Sequence, residues 1–405
     1  MQLSRFIALR LALGKYKSFA SLIIKLAWFG VGLSVAVMLI SIAIVVGYKK
    51  QISEKVLGFG GDIEVHSTGT TGSFDYIQFK DSAPIFQKIK DNPNVSSVSP
   101  VMSRPGILKS NEELEGIVFK GIDGQYNLEF LKRNLLRGHL PGFGDSTRKR
   151  EIMISKALGK KMKIDTGDLV RVYFINEPVR VIPCTITGIY ETGLEENDLL
   201  FVVGSLREMQ RIFANKQKEI THYEVQTKDF KQLAENTKKL NKSLPQELNA
   251  ESLIQLNPQI FDWLGYLDQN IVIILTLMVV VASINMITAL LILIIERTNM
   301  IGILKALGTR NGAIKRIFLN HALYILVLGL GFGNVLGLGL AWLQAKYKLI
   351  TLAQETYYLA FVPIEINLWM VLAVNIGTVI ICMMALFLPV RLISKIEPVK
   401  AIKFN

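Results

Sequence analysis

The run Leu26 to Val46, LAWFGVGLSVAVMLISIAIVV, holds twenty-one residues without a charge. At ~1.5 Å of rise per residue it covers a ~30 Å hydrocarbon core, and so reads as a membrane span. A cleaved signal peptide is the competing reading. It fits poorly, because the apolar run exceeds an h-region and no small-x-small site follows before Tyr48, Lys49 and Lys50. Three further runs, beginning at Ile271, Ala322 and Leu368, lie in the last third of the chain. Their interiors carry no Asp, Glu, Lys or Arg, and Thr276, Ser283, Asn285 and Thr288 suit helix contacts better than a proton relay.

The expected fold is an α-helical membrane protein with four transmembrane helices and a large α/β domain between the first and second. Spans are expected at 26–47, 271–295, 318–342 and 367–389, with an amphipathic segment at 1–25 and a tail at 390–405. Loops are expected at 296–317 and 343–366.

Positive charge close to the spans marks the cytoplasmic side. Arg5, Arg10, Lys15, Lys17 and Lys25 precede the first span, and Arg297, Lys305, Arg310, Lys315 and Arg316 lie between the second and third. Arg391, Lys395, Lys400 and Lys403 follow the fourth. Both termini and the 296–317 loop are thus expected in the cytoplasm and residues 48–270 outside. That stretch has 30 Lys+Arg against 29 Asp+Glu, so the formal charge of +13 resides almost wholly in the cytoplasmic flanks. The basic balance reports topology and gives no case for nucleic-acid binding.

Within 48–270 the pattern changes to short alternating segments broken by Gly, Pro, Asn and Asp. Strands are expected at 61–66, 95–109, 221–227 and 251–256, with helices at 83–90 and 228–240. These two strand, helix, strand units, 48–115 and 206–270, are expected to pack as one α/β layer. Residues 116–205 read as an inserted β-rich subdomain, with strands at 117–122, 169–175, 179–189 and 199–203 and a helix at 128–136. Gln259 to Asp268 carries apolar residues at helical spacing and runs straight into the second span, with Trp263 and Tyr266 suited to the interface.

Cys184 and Cys382 belong to different parts of the chain, so no disulfide framework is expected. His66, His139, His222 and His321 are far apart, with no carboxylate or cysteine at metal-ligand spacing, so no metal site is expected. No GxxxxGK[ST] phosphate loop, GxSxG elbow or HExxH helix occurs. The chain is expected to be no enzyme and to draw its energy from a partner.

Between the second and third spans stands ERTNMIGILKALGTRNGAIKRIF, Glu296 to Phe318. Met300, Ile301, Ile303, Leu304 and Leu307 cover much of a short helix, which Gly308 can end in left-handed geometry. An interfacial helix resting on the inner leaflet is the alternative. The string resembles the coupling segment of the MacB and FtsX superfamily of ABC permeases, which docks into a groove on a separate ATPase. The resemblance implies that Glu296, Arg297, Met300, Ile301, Gly302, Leu304, Lys305, Ala306, Leu307 and Gly308 form that contact.

KVLGFGGDIEV at 55–65, KGIDGQYN at 120–127, EIMISKALGKKMKIDTGDLVRV at 151–172, TGIYETGLEENDLLFV at 187–202 and PQIFDWLGYLDQN at 258–270 extend the resemblance over nearly the whole chain. With the segment around the first span, they are similar to lipoprotein-releasing permeases. The resemblance implies extraction of lipoproteins from the outer leaflet of the bacterial inner membrane for a periplasmic carrier. The implied partners are two copies of a cytoplasmic ABC ATPase, a second permease subunit (self or sister), the lipoprotein, the carrier and membrane lipids, with no nucleic acid. No cofactor is bound by the chain itself; ATP and Mg belong to the ATPase. Phe174 to Arg180 is a tight turn where carrier-recruiting relatives have an extended Pro-rich hairpin, which counts against carrier docking there.

The same analogy places acyl-chain contacts on Val37, Ile40, Ile44, Leu264, Ile271 and Leu275. Gly329, Gly333, Gly337 and Ala341 form a small-residue stripe suited to packing within one subunit or to sliding against a partner. A regulator of cell-wall hydrolases and an efflux permease remain the alternative functions.

Overall fold

The structure, a computed structural model, describes residues 19–70, 77–143, 150–175, 179–213, 218–353 and 357–395. Outside them lie the segment bearing Arg5, Arg10, Lys15 and Lys17, residues 176–178 of the expected turn, and the tail from residue 396 with Lys400 and Lys403. The chain divides into a helical unit, reaching Lys50 and resuming over Trp263–Thr351 and from Phe361, and a soluble unit of Gln51–Asp262 with Leu352–Ala360.

Four helices are long and apolar enough to cross a membrane. Three run unbroken well past the apolar stretches that announce them: Phe19–Phe59, Pro258–Glu296 and Asn311–Tyr347. The fourth, Leu368–Ala385, stops short of residue 389 and continues as short helices, Phe387–Val390 and Leu392–Lys395. Pro389 has no N–H to offer the carbonyl four residues back, that of Ala385, and the helix breaks there.

The helical unit packs around Val31, Val35, Met286, Leu290, Phe318, Ile325 and Cys382. The glycine stripe is used inside the chain. A Cβ on Gly333 would stand 2.5 Å from the Gly32 carbonyl and 2.8 Å from the Val35 Cβ, and one on Gly337 3.0 Å from the Ala36 Cα. Spans three and four are joined by reciprocal amide hydrogen bonds, Asn334 donating to Asn375 at 2.7 Å and Asn375 to Asn334 at 3.0 Å. At the other ends of the spans, Lys49 pairs with Asp268 at 2.6 Å and Lys50 with Glu365 at 2.7 Å.

In the soluble unit the strands are β1 (Ile63–Ser67), β2 (Phe79–Lys80), β3 (Val95–Lys109), β4 (Leu114–Ile122), β5 (Leu135–Gly138), β6 (Glu151–Ser155), β7 (Leu169–Phe174), β8 (Arg180–Tyr190), β9 (Phe201–Ser205), β10 (Glu219–Ile220), β11 (His222–Thr227) and β12 (Leu248–Ser252). The order β12-β1-β11-β3 is antiparallel throughout, and the helices Ala83–Lys90 and Leu233–Ser243 contribute Ile89, Leu233 and Leu240 to its core. This is a split β-α-β pair, the expected α/β layer.

The inserted part is a small barrel. Pairings run from β3 to β4, β9, β6, β8 and β7 and return to β3. Val170, Val172, Phe174, Ile182, Cys184 and Ile186 alternate along β7 and β8 as buried residues, with exposed or half-buried neighbours between them. β3 belongs to both parts: its first half pairs with β11 and its second with β4 and β7. A boundary at residue 116 therefore cuts through paired strands rather than a linker.

Two expected elements change type. Of residues 251–256 only Glu251 and Ser252 are strand: β12 runs from Leu248 to Ser252, whose hydroxyl begins the helix Leu253–Leu256 in a capping box with Gln255. The helix expected at 128–136 shortens to Glu129–Arg133, because Leu135 already pairs with Tyr190 on β8.

Candidate functional site

The loop after span two folds as a helix, Thr298–Ala306. Thr298 Oγ1 donates back to the carbonyls of Ile294 and Ile295, at 3.1 and 2.7 Å, bridging the end of the span to the new helix. Gly308 takes φ +87°, and the Thr309 and Gly308 amides donate to Leu304 and Lys305 at 3.0 Å each. Those bonds form a Schellman stop, for which a residue without Cβ is best suited.

The ten residues expected to form one contact divide between two faces. Ile301 and Gly302 are buried, and Met300 and Leu304 pack with Ile301 against the core of the helical unit. They hold the helix in place and do not belong to a free surface. Lys305 also turns inward: its ammonium donates to the carbonyls of Ile393, at 2.8 Å, and Ser394, at 3.4 Å, near the C-terminal end of the last short helix. Arg297 is half-buried. Glu296, Ala306, Leu307 and Gly308 remain exposed, joined by Asn299, Ile303 and Arg310.

Ile303 was absent from the expected contact, yet it is 48% exposed beside Leu307, which is 77% exposed. The spacing 299, 303, 307 could have shown this, since it follows one face of the helix and its C-cap. An exposed apolar pair of this kind can seat in a greasy groove on a partner.

Toward the opposite ends of spans one and two, Ile40, Ile44, Ile271 and Leu275 are half-buried and can meet an acyl chain, and Val37, also half-buried, stands at the middle of span one. Leu264 cannot, being only 3% exposed; Val272, Ile273 and Leu277 are the exposed apolar residues of that part of span two.

A third cluster lies in the soluble unit. Glu64 on β1 stands opposite Glu224 on β11, and one ligand atom each of Glu64, His222 and Glu224 lie within 4.8 Å of one another. The spacing His222-x-Glu224 puts those two on one strand face and corrects the expectation that no histidine has a carboxylate at ligand spacing, whereas Glu64 arrives only through strand pairing. The Lys120 ammonium supplies the positive charge there, 2.7 Å from Glu224 Oε1. Burial alone pushes the Glu224 carboxyl up, but Lys120 and His222 outweigh it and bring it down to about 2. The Tyr126 hydroxyl donates to Glu224 Oε2 at 2.6 Å, and burial together with the Glu224 charge raises the phenol well above its ordinary value.

Comparison with known proteins matches the model of the MacB-like periplasmic core domain to residues 26–243 and that of the FtsX-like permease C-terminal to residues 272–398. The chain is 22% identical to the lipoprotein-releasing system transmembrane protein LolE of Haemophilus influenzae, covering 98% of each chain. It is 21% identical to the lipoprotein-releasing system transmembrane protein LolC of Xylella fastidiosa, covering 100% of this chain and 99% of that one. Among solved structures, the periplasmic region of MacB from Actinobacillus actinomycetemcomitans matches at TM-score 0.36 and 16% identity, covering 52% of this chain and 97% of that one. Two matched models, one over the first span and soluble unit and one over the remaining spans, place the chain in the FtsX/MacB family of ABC permeases.

Proposed function

We propose that the chain is the transmembrane subunit of a lipoprotein-releasing ABC transporter in the bacterial inner membrane, with its termini in the cytoplasm and its soluble unit in the periplasm. The carrying observation is the likeness, from one end of the chain to the other, to relatives named for lipoprotein release. A separate ATPase, holding ATP and Mg, docks on the face formed by Ile303 and Leu307. A second permease subunit completes the acyl pathway, which draws on Ile44, Val272 and Ile273.

The physical task is large. Withdrawing acyl chains from a bilayer costs about 0.8 kcal/mol per CH2, so release of a triacylated anchor needs an energy source. Two unbroken helices, Phe19–Phe59 and Pro258–Glu296, lead from the spans into the soluble unit and provide continuous backbone for a stroke. A likeness to MacB, at 21% identity over 93% of this chain, keeps efflux as the second reading.

Photo-crosslinkers at Ile44 and Val272 in cells decide between them. Capture of triacylated lipoproteins at both positions, cleared only when the ATPase is active, is the expected result. Capture of a small molecule or peptide without acyl chains, or of no acylated species at all, rules lipoprotein release out.

A further inference from the structure

Phe59 is the last residue of the helix that carries the first span, and the carbonyls of a helix's last turn lack partners within the helix. Here the terminal carbonyl is met by a buried cation. Lys120 on β4, 4% exposed, donates to the Phe59 oxygen at 2.5 Å, to the Tyr126 hydroxyl at 3.1 Å and to Glu224 on β11 at 2.7 Å. All three ammonium protons are thereby used. A positive charge at the C-terminal end of a helix also interacts favourably with the negative end of the helix dipole.

The ring of Phe59 is held as firmly as its carbonyl. It lies 4.9 Å from Phe201 and 6.1 Å from Tyr190 between centroids, with the Lys120 ammonium 4.9 Å from its own centroid. A Cβ on Gly58 would run into the buried Phe130 ring, so any larger residue where the helix enters this socket would require that ring to move. Most of the participants come from three of the strings that carry the family likeness, KVLGFGGDIEV (Gly58, Phe59), KGIDGQYN (Lys120, Tyr126) and TGIYETGLEENDLLFV (Tyr190, Phe201), and nothing in the docking face or the acyl pathway accounts for those strings.

Replacing a surface lysine on β4 would cost the sheet little, but this one is buried and spans three elements. A buried ion pair is a poor source of stability compared with apolar packing, which favours a role in specifying geometry. We infer that Lys120 is a positioning residue that locks the end of the first-span helix to the central strands β4 and β11, so that displacement of the helix moves the sheet instead of slipping past it. The coupling part of this inference rests on the release function proposed above; the lock itself does not.

The test uses the full chain with its ATPase subunit in lipid vesicles carrying a triacylated lipoprotein. Lys120→Met is compared with Lys120→Met/Glu224→Gln, which leaves no buried carboxylate without its cation and so guards against simple misfolding. Both variants are expected to raise amide hydrogen exchange at residues 55–60 at least tenfold while exchange in β7 and β8 is unchanged. ATP hydrolysis is expected to persist while lipoprotein release falls at least tenfold. Unchanged exchange at 55–60 in the double variant overturns the lock. Faster exchange with undiminished release overturns the coupling. A wild-type chain that releases no lipoprotein sinks the release reading, and the exchange measurement then decides the lock alone.

Discussion

Glu224 owes its ionised state to two neighbours, Lys120 first and His222 second, which makes its energetics readable. Its folded-state pKa of about 2 lies below the ordinary 4.5, so the unfolded chain takes up the proton first as the solution is acidified. The stability it contributes is complete above pH 4.5 and disappears as pH falls toward 2. Asp123 and Asp198 act in the opposite sense: burial raises both, and their contribution is present at low pH and lost as pH rises. Wild type should therefore exceed Glu224→Gln in stability by on the order of 3 kcal/mol at neutral pH, since truncating one side of a buried pair strands the other. That margin should shrink steadily below pH 4.5 in melting curves of the detergent-solubilised chain. A margin independent of pH would mean that Lys120 does not set the charge state of Glu224. Gly333 offers a second test at this scale. Its Cβ position is occupied by the span-one backbone, whereas Gly339 has nothing within 4 Å of its Cβ position. Gly333→Leu should destabilise the chain by at least ~1–3 kcal/mol, the usual cost of overpacking, and Gly339→Leu should leave the melting temperature unchanged.

Among the elements, the helix Thr298–Ala306 separates residues that build the fold from residues that can meet a partner. Leu307→Glu puts a charge on an exposed apolar site, so it should weaken capture of the ATPase at least tenfold, ~1.4 kcal/mol, with unaltered thermal stability. Ile301→Glu buries a carboxylate in the helical core and should abolish folding, read as loss of the monodisperse peak in gel filtration. Equal damage from the two changes would contradict the division into two faces. The sequence makes this helix and its Gly308 stop legible, because apolar periodicity and a terminal glycine are local signals. Which face turns inward is not local: Lys305 points to Ile393 and Ser394, some ninety residues away. The same limit explains Leu253–Leu256, which follows directly on β12 but turns helical because Ser252 and Gln255 cap it. It explains Leu135 as well, drawn into β5 by Tyr190. Asn334 and Asn375 carry no local signal in their apolar runs, since only the packing of spans three and four shows that each satisfies the other.

At the scale of the molecule, the four spans announce themselves by length and hydropathy, whereas closure of the barrel depends on pairings that no local pattern records. β7 meets β3 across more than sixty residues of chain, and β4 runs parallel to β9 across about eighty. Such a sheet, once closed, has a core of its own: the main apolar cluster runs from Ile63 and Val65 through Phe119 and Phe174 to Leu240 and Ala250 without using a residue of the spans. The fragment 51–262 should therefore fold alone and melt cooperatively, with strand-rich circular dichroism. It lacks Leu359, buried at 3% exposure in the same unit, and should lose about 1.5–3 kcal/mol for that missing side chain. Restoring residues 352–360 through a short flexible linker should return most of the difference in denaturant midpoint. A fragment that stays molten with those residues restored would show that the sheet borrows its order from the membrane helices, and the soluble unit would then be the receiver of a stroke only while the spans hold it folded.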